Sequence, residues 1–115
     1  MRAEFAATAL DGEARTGTVH LAGGTFRTPC FMPVGTRGAV RHLSSVDLAD
    51  LGAEVVLGNT YHLMLRPGLE VVRDHGGLAA FTGWDGLTLT DSGGYQIFSL
   101  QPKVNDQGAT FRSTY

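Results

Sequence analysis

The chain has 115 residues, a formal net charge of −2, 43% hydrophobic residues and a single cysteine, Cys30. No apolar stretch approaches the roughly 18–20 residues of a membrane span, and the charge balance excludes a highly basic nucleic-acid module. One cysteine excludes an internal disulfide framework and a cysteine-based zinc cluster built from this chain alone. The composition predicts a small folded α/β domain, which we expect to be cytoplasmic, with many of its 16 glycines in turns and loops.

Residues 1–30 predict an antiparallel β-meander. Apolar and polar residues alternate as far as Asp11-Gly12, which is a hairpin turn signal, and the alternation resumes at Val19 and Leu21. Gly23-Gly24 supplies a second turn before a third short strand. Pro29 ends the pattern, so a different arrangement is expected from residue 31 onward.

Residues 31–115 predict strands that alternate with helices. Three short apolar segments have the composition of buried strands: residues 31–34, 54–57 and 87–90. Because continuous apolar strands joined by helices are typical of parallel sheets, these segments are predicted to pair in parallel as successive βα units.

Helix signals lie between these strands. Ser44 and Asp47 match a capping box, and Gly52 occupies the position of a helix-ending glycine. A second helix is predicted with Pro67 in its first turn and its end at Gly76-Gly77. A short helical turn is expected over residues 78–81. Residues 97–100, 105–108 and 110–112 are expected to form a terminal β-hairpin around a polar turn.

The ends of the predicted parallel strands carry the candidate site. Ligands bind at the carboxyl ends of strands in such folds, and Asp91-Ser92-Gly93-Gly94 places a carboxylate, a hydroxyl and two glycines there. Tyr95 adds an aromatic ring for stacking. An ordinary turn in which Asp91 bonds its own backbone explains the same residues about equally well. Asn59 suits either a contact to a ligand or carboxylate or a turn, and by itself it favours the turn.

Other reactive residue types carry weaker signals. The four histidines have no metal-ligand spacing on one face, and His62 is expected to pack or to form a hydrogen bond. Cys30 lies beside Pro29 in an apolar stretch, which predicts a small buried side chain and not a nucleophile.

Three longer motifs, taken together, resemble the bacterial tRNA-guanine transglycosylase family, also called queuine tRNA-ribosyltransferase. They are residues 28–36, 57–68 and 89–96, and they occur in the family's order across essentially the whole chain. The resemblance implies the N-terminal portion of a TIM (β/α)8 barrel preceded by an antiparallel β-sheet. It also implies that these 115 residues are about the first third of such a protein.

The resemblance implies exchange of guanine at the tRNA wobble position for a 7-deazaguanine base of the preQ1 type, through a covalent enzyme–RNA intermediate. Asp91 matches the family's general acid/base. The residues that match substrate-binding positions are Ser92, Gly93 and Gly94 beside the base, Tyr95 for stacking, Asn59 near the acid/base, and Val34 and Leu57 as pocket walls near the ribose.

The resemblance also implies partners and groups beyond these residues. The nucleophilic aspartate, the Zn²⁺ ligands and the basic tRNA surface are expected outside the chain, and the full-length protein is expected to be a homodimer. The 115 residues alone are therefore predicted to be inactive. The alternative is a non-catalytic partial barrel, or a paralogous module that binds a nucleobase or a partner. Retention of Asp91 favours the enzyme.

Overall fold

The first quarter of the chain forms a three-stranded antiparallel sheet. The computed structural model describes residues 2–113 and 115, so Met1 and Thr114, which the predicted segments 1–30 and 31–115 include, lie outside the described residues. The sheet order is β1 (Glu4–Asp11), β2 (Ala14–Leu21) and β3 (Gly24–Thr28). The meander predicted from the glycine turns and the alternating residues is confirmed.

A pair of charged residues joins this sheet to the rest of the chain. The backbone N–H of Arg27 in β3 donates to Glu54 Oε2 at 2.7 Å, and Arg27 Nε donates to Glu54 Oε1 at 2.6 Å. These bonds, led by the one from the backbone N–H, lower the pKa of Glu54. The carboxylate lies immediately before the first parallel strand, so the contact sets the position of the meander against that strand.

Two strands form the parallel sheet. β4 (Val55–Gly58) and β5 (Leu87–Thr90) pair in register from Val55 opposite Leu87 to Gly58 opposite Thr90. The predicted parallel pairing of these two segments is confirmed. Their alternating side chains place Val56 on one face and Leu57 and Leu89 on the other.

Residues 31–34 do not form the predicted strand, and the segment pairs with the sheet at one position only. Val34 forms an isolated parallel bridge with Leu57, in which Leu57 N–H donates to the Pro33 carbonyl at 2.9 Å and Gly35 N–H donates to the Leu57 carbonyl at 2.7 Å. Pro33 has no N–H to donate, which limits how far this segment can extend as a strand.

The described residues also include five short α-helices. The first, α1 (Ser45–Asp50), has the predicted capping box, since Asp47 N–H donates to Ser44 Oγ at 3.2 Å and Ser44 N–H donates to Asp47 Oδ2 at 2.7 Å. Gly52 follows in the left-handed region with φ of 75°. The others are α2 (Thr60–Leu63), α3 (Leu69–Asp74), α4 (Leu78–Thr82) and α5 (Gly94–Ser99).

Pro67 does not lie in the first turn of the second predicted helix, so that prediction is wrong. The chain enters α2 directly after β4, passes through a wide turn over Met64–Gly68, and begins α3 only after Gly68. Arg66, with φ of −150° and ψ of 115°, is extended, because a residue before proline is disfavoured in the helical region. The helix end near Gly76-Gly77 and the short helix predicted over residues 78–81 are confirmed.

The terminal hairpin is confirmed with different bounds. Its strands are β6 (Lys103–Asn105) and β7 (Gly108–Thr110). Residues 97–100, which were expected to belong to it, instead form the end of α5 and its cap, and Ile97 N–H donates to the Gly93 carbonyl at 3.1 Å. A helix forms there because Gly93, with φ of 72°, turns the chain out of the strand direction.

The core lies on the helical side of the parallel sheet. Leu48 of α1, Val56 of β4 and Trp84 are all buried and form one cluster with Val40 and Ala53 at its edge. On the opposite face of the sheet Val55 is buried, whereas Leu89, nearer the carboxyl end of β5, is 40% exposed. Within the described residues, none of the helices has the length and apolar character to cross a membrane.

Candidate functional site

The carboxyl ends of the two parallel strands bring Asn59 and Asp91 together. Gly58 is paired with Thr90, so the residues that follow them lie side by side. Asn59 Nδ2 donates to Asp91 Oδ2 at 2.7 Å. Of the roles left open for Asn59, a turn residue or a contact to a neighbouring carboxylate, the structure shows the carboxylate contact.

Thr60 supplies two further bonds to Asp91. Its backbone N–H donates to Asp91 Oδ1 at 2.8 Å, and its hydroxyl donates to the Asp91 backbone carbonyl at 2.5 Å. Thr60 is not among the site residues predicted from the sequence. A signal was present, because N–H groups in the first turn of a helix have no partner inside the helix, and Thr60 is the first residue of α2.

These donors lower the pKa of Asp91. The side-chain bond from Asn59 lowers the pKa of Asp91 most, and partial burial opposes it. The backbone N–H groups of Thr60 and Gly93 and the charge of His62 lower it further. The Gly93 contribution is the Asx-type contact expected of a simple turn, but the carboxylate also binds across the sheet end to Asn59 and Thr60. The arrangement therefore presents a deprotonated carboxylate at a strand end.

The Ser92-Gly93-Gly94 turn rests against α2. Gly93 is buried, and a Cβ added there would lie 3.3 Å from Tyr61 Cβ and 3.4 Å from Tyr61 N. Ser92 and Gly94 are exposed, and Gly94 N–H donates to Ser92 Oγ at 3.3 Å. Close packing together with a positive φ thus explains the glycine at position 93.

Tyr95 presents its ring to solvent. It lies in the first turn of α5, four positions beyond Asp91, and is 84% exposed. Val34 and Leu57 are joined by the parallel bridge, and Val34 is 51% exposed. The structure therefore brings Asn59 to Asp91 and Val34 to Leu57, and it leaves the Tyr95 ring accessible.

The last residues of the chain return to α2. His62 Nδ1 lies 2.7 Å from the Tyr115 hydroxyl, and the rings of Tyr61 and Phe111 are 5.9 Å apart. The expectation that His62 forms a hydrogen bond is confirmed. Cys30 is exposed, so its predicted burial is wrong: the segment beyond Pro29 forms no strand that would cover it. In the described part of the chain, no three His, Cys, Asp or Glu side chains cluster as metal ligands.

The fold and this carboxylate define a class, the α/β proteins that carry a hydrogen-bonded carboxylate at the carboxyl ends of parallel strands. Comparison with known proteins identifies the family within that class. The family model for queuine tRNA-ribosyltransferase matches residues 11–115, and the chain belongs to this family. The resemblance inferred from the three sequence motifs is confirmed.

Relatives from several bacteria are similar over almost the whole chain. The queuine tRNA-ribosyltransferase of Xylella fastidiosa (strain M12) is 56% identical over 112 residues, which are 96% of this chain and 29% of that protein. That of Methylobacillus flagellatus is also 56% identical over 112 residues, 30% of its length. That of Xanthomonas axonopodis pv. citri (strain 306) is 54% identical over 114 residues, again 30% of its length. The chain therefore spans less than a third of these relatives.

Proposed function

We propose that these residues form the part of a tRNA-guanine transglycosylase that carries its proton-transfer carboxylate. The reaction replaces guanine at the wobble position of tRNA with a 7-deazaguanine base of the preQ1 type. The observation that carries the proposal is the hydrogen-bonded pair of Asn59 and Asp91 at the strand ends, within a chain whose relatives are named queuine tRNA-ribosyltransferases.

Proton transfer is the chemical task assigned to Asp91. A departing guanine must gain a proton on its ring nitrogen, and an incoming base must lose one from the equivalent nitrogen. In the exchange, the protonated form of Asp91 gives a proton to the leaving guanine, and the carboxylate that remains accepts the proton of the incoming base, which restores the protonated form. A covalent enzyme–RNA intermediate divides the exchange into two glycosyl transfers.

The neighbouring residues receive binding roles in this proposal. Tyr95 stacks on the heterocycle, a role that its exposed ring supports. The backbone of Ser92, Gly93 and Gly94 borders the base. Asn59 orients the Asp91 carboxylate, which its 2.7 Å bond supports. The bridged pair of Val34 and Leu57 forms the wall near the ribose.

The remaining parts of the enzyme are expected in the region of the relatives that this chain does not cover. In this proposal residues 1–30 are the N-terminal sheet and residues 31–115 are the first βα units of a TIM barrel, which the parallel β4–β5 pair supports. The nucleophilic aspartate, the Zn²⁺ ligands and the basic tRNA surface lie in the remainder, and the whole protein is a cytoplasmic homodimer.

Labelled guanine tests the proposal. The full-length protein should incorporate labelled guanine into tRNA, and Asp91→Asn should reduce the rate by about 10²–10⁴-fold, the usual contribution of a general acid–base group. Asp85→Asn, which changes an exposed carboxylate before β5, is the matched control and should retain the wild-type rate. Retention of more than about a tenth of the rate by Asp91→Asn contradicts the assigned role.

Measuring guanine binding beside guanine incorporation distinguishes the alternative functions. A full-length protein that binds guanine without incorporating it into tRNA is a nucleobase-binding module. The 115-residue chain by itself should show no incorporation, because one of the two carboxylates that the reaction requires is assigned to the remainder of the protein. Incorporation by the purified chain overturns that assignment.

A further inference from the structure

We propose that Thr60 is a positioning residue for Asp91, and that its hydroxyl acts by fixing the Asp91 backbone. This inference rests on the proposed function, because it assigns a role within the same site. Thr60 is the first residue of α2 and follows Asn59 at the end of β4. It would act on the reaction only through Asp91.

Thr60 donates one hydrogen bond to the backbone of Asp91 and one to its side chain. The Thr60 hydroxyl donates to the Asp91 backbone carbonyl at 2.5 Å, and the Thr60 N–H donates to Asp91 Oδ1 at 2.8 Å. Asn59 binds only the side chain, through Oδ2. With both its backbone and its carboxylate bound to one residue, Asp91 loses freedom to rotate about its Cα–Cβ bond and to shift along the strand.

The next residue of α2 holds the following turn. Gly93 is buried against the Cβ and backbone of Tyr61, and Tyr61 is itself only 4% exposed. Residues 60 and 61 therefore contact positions 91 and 93 in the same order. Two such contacts fix both the position and the rotation of the turn that carries the carboxylate. α2 thereby acts as a platform that the protein core holds in place.

Loss of the hydroxyl has a defined expected effect. The Asp91 carbonyl would be released while the Thr60 N–H stays in place, so the carboxylate would move away from its two donors. Removal of one hydrogen bond and a small misplacement of a reacting group together should lower kcat by roughly 10-fold. The acid limb of the pH profile should move to higher pH, because the same donors lower the pKa of Asp91.

Two variants of the full-length protein distinguish the effect of the Thr60 hydroxyl from that of its methyl group. Thr60→Val keeps the shape and the N–H and loses the hydroxyl, whereas Thr60→Ser keeps the hydroxyl. We expect the valine variant to show the roughly 10-fold loss and the shifted limb, and the serine variant to stay within about 2-fold of wild type. Thr16→Val removes a comparable 2.6 Å bond to the Thr28 carbonyl in the N-terminal sheet and should change neither kcat nor the limb.

Each remaining outcome overturns the proposal. A valine variant with wild-type kcat, or with reduced kcat and an unmoved acid limb, shows that the hydroxyl does not position the carboxylate. A serine variant as impaired as the valine variant assigns the effect to the methyl group. A valine variant that fails to fold beside a folded serine variant assigns the hydroxyl a structural role.

A direct titration distinguishes this proposal from the proposed function. The carboxyl carbon of Asp91 in ¹³C-aspartate-labelled full-length protein can be followed by NMR, with Asp91→Asn to assign the signal. If wild type exchanges no guanine, the proposed function fails. A raised pKa of Asp91 in Thr60→Val still supports the positioning role in that case, and an unchanged pKa overturns it.

Discussion

The amide nitrogen of Asn59 lies 2.7 Å from Oδ2 of Asp91, joining two residues that are 32 positions apart in the chain. The bond exists because β4 and β5 pair in parallel and end at the same edge of the sheet. It lowers the pKa of Asp91 more than any other contact does. The strand pairing thus supplies the contact that most lowers the pKa of the proposed proton-transfer carboxylate.

Replacing Asn59 should change the pH dependence of the enzyme. Asn59→Leu keeps a similar shape and removes the donor, so the pKa of Asp91 should rise under the remaining effect of burial. A carboxyl group whose pKa is lower in the folded state stabilises the fold at pH values above its unfolded-state pKa. That stabilisation is lost as the pH falls through the folded-state pKa. The variant should therefore lose part of that stability at neutral pH, and the acid limb of kcat/KM should move upward. Activity near neutrality should fall roughly 10-fold.

The pH profile of the full-length protein measures this effect. Asn105→Ala is the matched control, because Asn105 Oδ1 accepts a 2.9 Å bond from Gln107 N–H in the terminal hairpin and does not contact Asp91. An acid limb that stays at the wild-type pH in Asn59→Leu would show that the amide does not govern the carboxylate.

Removing the ring of Tyr95 should weaken base binding. Stacking of an aromatic side chain on a nucleobase contributes about 1–3 kcal/mol, so Tyr95→Ala should raise the Kd for guanine by roughly 5–150-fold. Tyr95→Phe keeps the ring and should bind nearly as tightly as wild type. Calorimetry with the free base measures both. Phe98→Ala, which removes a ring 82% exposed on the same helix, is the control; equal affinities in Tyr95→Ala and Phe98→Ala contradict stacking by Tyr95.

A methyl group at position 93 should destabilise the site. Gly93→Ala must adopt φ of 72° and place Cβ 3.3 Å from Tyr61 Cβ, so it combines a conformational cost of about 1 kcal/mol with a close contact. Gly12→Ala provides the comparison, because Gly12 has φ of 58° with no atom within 4 Å of the added Cβ. Thermal unfolding should show a larger loss for Gly93→Ala, and its exchange rate should also fall. Equal losses in the two variants would exclude the close contact as a cause.

The capping box of α1 should contribute measurable stability. Ser44→Ala removes the side-chain oxygen that accepts from Asp47 N–H and should cost about 1 kcal/mol in denaturant unfolding. The neighbouring substitution Ser45→Ala, at a residue that is not the cap, should stay within about 0.5 kcal/mol of wild type.

Asp47 links the same capping box to pH. The Ser44 hydroxyl and then the Ser44 N–H lower its pKa, so this contribution is present above the unfolded-state pKa and is lost as pH falls through the folded-state value. The stability difference between wild type and Ser44→Ala should therefore shrink in acid. A difference that stays constant from neutral to acidic pH would contradict the role of Asp47.

Local patterns predicted much of the fold, and the failures have identifiable causes. Ser44 and Asp47 marked the start of α1 because a capping box is complete within four residues. The strand expected over residues 31–34 reduces to one bridge, because strand formation depends on a partner and Pro33 cannot donate to one. Ile97 is apolar and β-branched, yet it is helical because Gly93 redirects the chain before it.

Local sequence patterns predict the meander, the capping box of α1, the helix end near Gly76-Gly77 and a carboxylate at a strand end, and the three longer motifs indicate the family. These follow from motifs and turn signals that act over a few residues. The tertiary structure supplies the hydrogen bond from Asn59 to the Asp91 carboxylate, the bond from Thr60 to its backbone, and the packing of Gly93 on Tyr61. Those contacts join residues about 30 positions apart, and their geometry arises from the parallel register of β4 and β5, which no local pattern encodes.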